Sequence, residues 1–534
     1  MLLIIALLIP CAVALLLRGR AERDGSRFLA GRYAPFVVAL LWAALSWATW
    51  GSWHPMPLDH DEVAYLLQAE IFAAGRWAMP APPLSDFFGQ AHVLVTPVLA
   101  SKYPPGHSLL LALGTLVGLP ALIVFLLNAV RIGLLFALVR RVADPVTALL
   151  TCVLTFLGDV ICRYSSSWYS QTTSSAMLML AWYCLLRWRE RHRRGWLLGV
   201  ALALGWAAIT RPWSAVAFAL PIGWVVLRDV LRTRRWRDLT AAVVAGSCAV
   251  AILPLWAEGT LGDWRRMPLA EYARDYMPFD FPHFGVVQAS PRLTPPPDVA
   301  AINVGLLDAE RHHTLANLGP EAVARAGAVW QSTWPSPTLI FAALSLIGLL
   351  VMPSVGWFAV ATFVTLFAAY LAHPTWPDRT LYYFEGLPVL SFLGALGFMA
   401  MLRTLAGERT GREWRVAAPR AAIAGLVGCV LLLPTMISYG GNVLIWLRMN
   451  TADRRRFEAQ VAQLPAERAI VFVRYGPRHS PHRSLVVNRA NWPTAHAWIV
   501  YDRGAENARL LALAPSRRAY LYDQGEDRFI EMAR

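Results

Sequence analysis

Long apolar runs separated by arginine clusters are the feature that most constrains how this chain can fold. The runs are about 16–20 residues long, which is enough for a helix to cross the hydrocarbon core of a bilayer. Of the 534 residues, 57% are hydrophobic and only 16% are charged, more apolar surface than a soluble domain could bury. Because backbone groups in lipid must hydrogen-bond within the protein, the runs are predicted to be helices and not strands.

The arginine clusters orient the predicted spans. About twelve spans are expected from the runs, at 2–17, 34–53, 119–139, 145–162, 172–187, 196–210, 213–228, 239–257, 338–352, 355–372, 387–402 and 420–438. If successive spans cross the membrane in opposite directions, five arginine clusters fall on the same side of the membrane, at 18–32, 140–141, 187–194, 228–237 and 403–420. The positive-inside rule makes that side cytoplasmic. The net charge of +15 therefore reflects topology and does not indicate nucleic-acid binding.

The predicted organisation is an all-α polytopic membrane bundle followed by a small α/β domain. Residues 1–438 form the transmembrane domain, with long external loops at 54–118 and 258–337, and residues 439–534 form the small extracytoplasmic domain. In that tail a charged helix is expected at 450–463, followed by strands in AIVFVRY, SLVVN, AWIVYD and RAYLYD. The second loop is expected to be helical over 307–330 and to serve either as a lid on the acceptor side or as a structural cover.

The first external loop carries an acidic cluster, His60-Asp61-Glu62, directly after a predicted span. Apolar residues at helical spacing from Asp61 to Ala74 predict a short amphipathic helix on the membrane surface, which ends at Gly75. Two adjacent carboxylates beside a membrane are costly and indicate a function. The alternative is helix capping, with Asp61 as the N-cap and Glu62 in the first turn.

The strings DEVAYLLQAEIFAAGRW and SKYPPG resemble the first external loop of GT-C glycosyltransferases, which include lipid A aminoarabinose transferases and protein O-mannosyltransferases. The resemblance implies a GT-C-like bundle in which Asp61 activates the acceptor nucleophile and the sugar is transferred with inversion. Glu62 would support Asp61 or help to hold a metal, and Asp59 competes for the role of base.

A phosphate leaving group requires cations. The resemblance implies that Lys102 and Arg379 bind the donor phosphate, although Tyr103 interrupts the Lys-Pro-Pro string of the family. Arg211 is the third candidate for the phosphate, because the positive-inside rule disfavours an arginine in an external turn. For each cation the alternative is a snorkelling interfacial side chain. The candidate substrate-binding residues are His60, Tyr65, Tyr103, Tyr382 and Tyr383. For the aromatic residues the alternative is the interfacial belt.

The metal assignment stays open, and no other cofactor is expected. Metal-dependent relatives carry a second acid in the next external loop, whereas RYSSSWYSQ has none here and Asp159 lies slightly too deep. His54 and His60 are possible ligands, with hydrogen-bonded interface histidines as the alternative.

The function implied by the resemblance is a glycosyltransferase of a bacterial inner membrane, with its active site on the extracytoplasmic side. Its partners would be a polyprenyl-phosphate-sugar donor, the lipid bilayer, and a glycan, lipid or protein acceptor, with no nucleic acid. The alternatives are a transporter or flippase for lipid-linked substrates, which lacks support from inverted repeats, and a catalytically inactive GT-C scaffold.

Overall fold

The computed structural model describes residues 2–19, 27–334, 338–408, 419–465 and 467–532. Parts of two predicted arginine clusters, 20–26 and 409–418, lie outside the described residues. In chain order the helices are α1 (Leu2–Leu16), α2 (Arg27–Ala30), α3 (Ala34–Trp50), α4 (His60–Ala73), α5 (Gly106–Leu116), α6 (Pro120–Val142), α7 (Pro145–Leu157), α8 (Asp159–Ser165), α9 (Gln171–Arg191), α10 (Arg194–Ala208), α11 (Pro212–Thr233), α12 (Trp236–Val250), α13 (Ile252–Leu261), α14 (Pro268–Tyr276), α15 (Pro297–His312), α16 (Leu318–Thr333), α17 (Ile340–Leu350), α18 (Trp357–Tyr370), α19 (Leu387–Leu405), α20 (Pro419–Asn450), α21 (Ala452–Ala462) and α22 (Asn507–Leu513).

A helix or helix pair forms at every predicted span, and the chain is a multi-pass membrane protein. Among the described residues, five helices are long and apolar enough to cross a bilayer, namely α6, α11, the α12–α13 pair, α19 and α20. The α7–α8 pair, bent by 80°, makes a sixth. Most of the other helices at predicted spans are shorter, so the number of twelve crossings remains a prediction.

Helices α17 and α19 show how tightly the bundle packs. A Cβ atom on Gly397 would lie 1.8 Å from the carbonyl oxygen of Leu344, and one on Gly348 would lie 2.1 Å from that of Leu393. Only glycine permits this approach of two backbones. Small residues at helix contacts are the usual means by which membrane helices associate, because lipid supplies little hydrophobic driving force.

The predicted surface helix of the first loop forms as α4, but most of it is covered by other parts of the protein. Nine of its 14 residues are buried, because the bundle covers one side of the helix and the tail covers another. Its end agrees with the prediction, since Gly75 follows with a positive φ of 71°. The same loop also forms three short strands that were not predicted, β1 (Met79–Pro80), β2 (Val93–Leu94) and β3 (Val98–Ser101), in the antiparallel order β1-β3-β2.

The second loop folds into the helices α14, α15 and α16. The helical structure predicted over 307–330 is largely present, but a break between His312 and Leu318 divides it between α15 and α16. At this break the Thr314 hydroxyl accepts the backbone N–H of Asn317 and starts a 3-10 turn that leads into α16.

The tail contains four strands, β4 (Ala469–Arg474), β5 (Ala497–Tyr501), β6 (Arg518–Asp523) and β7 (Arg528–Glu531). They form one sheet in the order β5-β4-β6-β7. β4 pairs in parallel with β5 and β6, and β7 is antiparallel to β6. The predicted strand SLVVN is wrong: the backbone N–H groups of Leu485 and Val486 donate to the Tyr475 hydroxyl and not to a neighbouring strand. Helix α20 runs through the predicted domain boundary at 438, and the division into two domains remains a prediction.

Candidate functional site

A cavity of about 1190 Å³ lies where the two long loops, the turn before α11, the loop before α19 and the tail meet. It brings together most of the candidate residues. Those that line it are Asp59, His60, Asp61, Tyr65, Lys102, Tyr103, Arg211, Arg379 and Tyr382. Glu62 and Tyr383 are not among the lining residues. The cavity therefore contains one proposed base, three cations and several aromatic rings.

Asp61 lies in the first turn of α4 with its side chain 24% exposed. The Tyr103 hydroxyl donates a hydrogen bond to one of its carboxylate oxygens. His60 Nδ1 lies 3.1 Å from the carboxylate and His92 Nε2 lies 3.8 Å from it. Burial opposes ionisation, but the surrounding histidines and the Tyr103 hydroxyl outweigh it and hold the pKa of Asp61 well below its usual range. Asp61 is therefore an ionised acceptor that faces the cavity.

Glu62 points the opposite way and stabilises the backbone. It is buried, and it accepts the backbone N–H groups of Leu58, Asp59 at 3.2 Å and Trp168 at 2.8 Å. Burial and the nearby Asp59 raise the pKa of Glu62 to about 7. The N-cap of α4 is Asp59, with Glu62 at the third position of a capping box. The capping alternative was thus correct for Glu62 but wrong in assigning the N-cap to Asp61.

Lys102 is the most enclosed cation of the site, with a side chain only 3% exposed. Its ammonium group forms an ion pair with Asp280 of the second loop and lies 5.1 Å from the centre of the Tyr272 ring. Burial raises the pKa of Asp280, but Lys102 outweighs that effect and the pKa falls to about 2. The Asp280 carboxylate therefore occupies the position beside the Lys102 ammonium where an anionic ligand would bind.

Arg211 and Arg379 differ in how strongly the protein holds them. Arg211 forms an ion pair with the buried Glu385 at 3.0 Å and donates to the Tyr370 hydroxyl at 2.9 Å. Arg379 is exposed, and within the described ranges it has no ion-pair partner. Arg379 is therefore the cation that can meet an incoming anion without first releasing a carboxylate.

The aromatic candidates separate into two groups. Tyr65 and Tyr103 stack with ring centres 4.6 Å apart, and both line the cavity. Tyr382 also lines it, with its ring 5.1 Å from that of Tyr370. Tyr383 is buried in the bundle and stacks on Phe367 at 5.2 Å. The structure therefore does not bring Tyr383 to the cavity.

Three residues that surround Asp61 and Lys102 were not predicted from the sequence. His92 and Asp280 lie in separate loops without periodicity, and His482 belongs to the tail. His482 Nδ1 lies 2.9 Å from His60 Nε2, so the tail reaches the site. None of the three has a local sequence signal, because only the tertiary fold brings the loops and the tail together.

Three residues could hold a divalent cation. His60, Asp61 and His92 can each offer one ligand atom, and these atoms lie within 4.8 Å of one another. Two imidazoles and a carboxylate are a donor set that suits Zn²⁺. Asp159, considered too deep from the sequence, does line the cavity, but its carboxylate is engaged by Arg163 at 2.9 Å and Tyr439 at 2.7 Å. His54 is exposed and does not belong to the three-residue group.

Several solved structures resemble this chain. The crystal structure of ArnT from Cupriavidus metallidurans bound to undecaprenyl phosphate matches with a TM-score of 0.52 at 14% identity, covering 92% of this chain and 94% of that one. The oligosaccharyltransferase of Archaeoglobus fulgidus in complex with Zn and sulfate matches with a TM-score of 0.46 at 13% identity, covering 91% and 67%. The arabinosyltransferase EmbB of Mycobacterium smegmatis matches with a TM-score of 0.44 at 15% identity, covering 87% of this chain and 44% of EmbB.

No protein-family model and no curated protein matches the sequence. The similarity to ArnT is a similarity of fold, since it extends over nearly the whole of both chains at low identity. The chain therefore has a GT-C-like fold, as the first external loop indicated.

Proposed function

We propose that this protein is a membrane glycosyltransferase that moves a sugar from a polyprenyl-phosphate-linked donor to an acceptor hydroxyl on the extracytoplasmic side. The observation that carries the proposal is the composition of one cavity. An ionised carboxylate, Asp61, shares it with three cations, Lys102, Arg211 and Arg379. A base together with an anion-binding group is what displacement of a phosphate leaving group requires.

In the proposed reaction the acceptor oxygen attacks the anomeric carbon of the sugar. Asp61 takes the proton of the acceptor hydroxyl, a new C–O bond forms, and the bond between the anomeric carbon and the phosphate oxygen breaks. The phosphate oxygen keeps the electron pair and leaves as polyprenyl phosphate, while the anomeric configuration inverts. Because Asp61 is ionised, it can accept the proton at neutral pH.

The cations would stabilise the charge that develops on the leaving phosphate. Arg379 is exposed and would meet the donor first, whereas Lys102 would exchange Asp280 for the phosphate. A divalent cation at His60, Asp61 and His92 would add positive charge there. A cation bound by these three residues is compatible with the proposed reaction, and no step of the proposed reaction depends on a metal.

The test compares the wild type with Asp61→Asn and with Asp59→Asn as its matched control. Asp59 lies two residues away and lines the same cavity, but its carboxylate accepts the Tyr169 hydroxyl at 2.9 Å. Purified proteins are incubated with labelled polyprenyl-phosphate sugars and envelope extract. Release of polyprenyl phosphate and transfer of label to the extract are both measured.

Asp61→Asn is expected to lose at least about 100-fold in turnover, the usual scale for a general base, while Asp59→Asn keeps most of it. The opposite pattern would assign the base to Asp59. If the wild type binds the labelled lipid but releases no polyprenyl phosphate from any donor, an inactive scaffold is favoured. If it moves the intact lipid between leaflets of reconstituted vesicles, the transporter alternative is favoured.

A further inference from the structure

A second pocket, lined mostly by charged and polar residues, lies at the other end of the bundle. It has a volume of about 380 Å³ and is lined by the ends of α6, α9 and α11, including Arg141, Arg189 and Arg232. Helix α11 begins directly after Arg211 of the large cavity and ends at Thr233 in this pocket. Its 22 residues span about 33 Å, close to the thickness of a bilayer core. The two sites therefore lie near opposite leaflets.

An apolar groove opens into this pocket. It runs between α6, α9, α18 and α19, and its lining includes Leu138, Ala359 and Phe392. Three residues, Val142, Leu186 and Val355, line both the groove and the polar pocket, so the two are continuous. A polar pocket joined to a narrow apolar groove matches the amphipathic structure of a lipid, which has a polar headgroup at one end and an apolar acyl chain at the other.

The charge of the pocket favours an anion. Its two carboxylates, Glu190 and Asp229, each contact two arginines: Glu190 contacts Arg141 at 3.0 Å and Arg187 at 2.8 Å. Asp229 in turn contacts Arg189 at 2.8 Å and Arg228 at 3.3 Å. Since both carboxylates are already engaged, a cationic headgroup such as choline has no partner in the pocket.

Several donors in the pocket are unused. Arg232 lines the pocket and has no ion-pair partner within the described part of the chain. Arg141 Nε and His192 Nδ1 are buried there without a hydrogen-bond partner among the described residues. Buried donors of this kind are normally satisfied by a ligand or water, and phosphate oxygens would accept from all three.

We propose that this groove and pocket bind one anionic phospholipid of the leaflet opposite the large cavity. Its phosphate lies against Arg141, Arg189 and Arg232, and one acyl chain lies in the groove toward Phe392. Basic pockets between membrane helices are known to hold anionic headgroups in this way. The lipid would close the bundle at the end where α6, α9 and α11 separate.

Native mass spectrometry of the purified full-length protein tests this inference. The protein is titrated with phosphatidylglycerol, with phosphatidylcholine of the same acyl chains, with undecaprenyl phosphate and with glycerol phosphate. One phosphatidylglycerol is expected to bind at least about fivefold more tightly than phosphatidylcholine, the effect of roughly one arginine contact. Glycerol phosphate, which lacks the chain, is not expected to bind measurably.

Arg232→Gln is expected to weaken phosphatidylglycerol binding by about fivefold. Its matched control is Arg237→Gln, an exposed arginine at the same end of the bundle that does not line the pocket. Arg232 is also exposed, so neither substitution disturbs the core. Ala359→Trp, which fills the groove, is expected to abolish retention of the lipid.

Equal binding of the two phospholipids would overturn the inference, as would equal effects of Arg232→Gln and Arg237→Gln. Retention of glycerol phosphate alone would show an ordinary phosphate site and no lipid site. Loss of undecaprenyl phosphate binding in Ala359→Trp, with phosphatidylglycerol binding unchanged, would assign the groove to the donor lipid and overturn the inference. These outcomes do not depend on turnover and are therefore distinct from a failure of the proposed glycosyltransferase activity.

Discussion

Under the proposed function Asp280 has two roles: it stabilises the buried Lys102 ammonium, and it competes with the donor phosphate for that ammonium. Replacing Asp280 by asparagine separates these two roles. The Lys102 side chain is 3% exposed and that of Asp280 is 22% exposed, so the substitution leaves a nearly buried ammonium without its counter-ion. Removing one member of a buried pair costs about 3–5 kcal/mol. The partial exposure of Asp280 places the expected loss near the lower end, about 3 kcal/mol. The donor-free protein should therefore unfold at a lower temperature.

The same substitution should strengthen phosphate binding, because the donor no longer has to displace a carboxylate from Lys102. The thermal midpoint is measured with and without undecaprenyl phosphate for the wild type, Asp280→Asn and Lys102→Met. The midpoint shift caused by the lipid should be larger in Asp280→Asn than in the wild type and smallest in Lys102→Met. A smaller shift in Asp280→Asn than in the wild type would refute the argument, since Asp280 would then assist binding and would not compete with the phosphate.

Three further results are expected. Glu62→Ala should lower the free energy of unfolding by at least about 2 kcal/mol, because buried backbone N–H groups lose their acceptor. Turnover per folded molecule should change far less than in Asp61→Asn. Thermal unfolding and turnover are compared, and a stable but inactive variant would place Glu62 in the chemistry. The pKa of Asp280 falls to about 2 in the folded protein, so the contribution of Asp280 to stability is present above pH about 4 and is lost as the pH falls toward 2. The thermal midpoint should therefore depend less on acid pH in Asp280→Asn than in the wild type, and an unchanged pH dependence would contradict this assignment. Tyr103→Phe removes a hydrogen bond to the Asp61 carboxylate and should raise the pKa of Asp61; the acid limb of the pH dependence of turnover should move to higher pH, and an unmoved limb would show that another group sets it.

The helices were predictable because lipid imposes a uniform requirement on every spanning segment. The resemblance of the first external loop to GT-C glycosyltransferases and the cost of charge beside a membrane together indicated Asp61, Lys102, Arg211 and Arg379, and the structure places all four in one cavity. Their catalytic and binding roles remain predictions. The direction of Glu62 was harder to predict, because successive residues of a helix point about 100° apart. One of two adjacent carboxylates can therefore face a cavity while the other binds the backbone.

Loops and the tail were less predictable because their structure depends on distant partners. SLVVN has the composition of a strand, but composition does not supply a neighbouring strand with free hydrogen-bonding groups. Asp280 lies in a proline-rich loop and becomes informative only when it is placed against Lys102. The pattern of α4 was recognised correctly, whereas the environment of the helix was not. An amphipathic pattern shows which residues are apolar but does not show what covers them.

Helix α4 links the tail to the proposed chemistry. On one side Tyr65 and Ala69 pack in a cluster with Leu111 and Trp168 of the bundle. Elsewhere on the helix Leu67 and Ile71 belong to a core that includes Ile470 and Phe472 of the tail sheet. The carboxylate of Asp61, at the start of the same helix, is therefore positioned by both bodies. The tail also contributes His482 to the cavity wall. The packing of the tail on α4 and the contact of His482 with His60 therefore both act on the start of α4. Deleting the tail would consequently displace the proposed base as well as remove His482 from the cavity wall, and point substitutions in the cavity are the cleaner test of what the tail does.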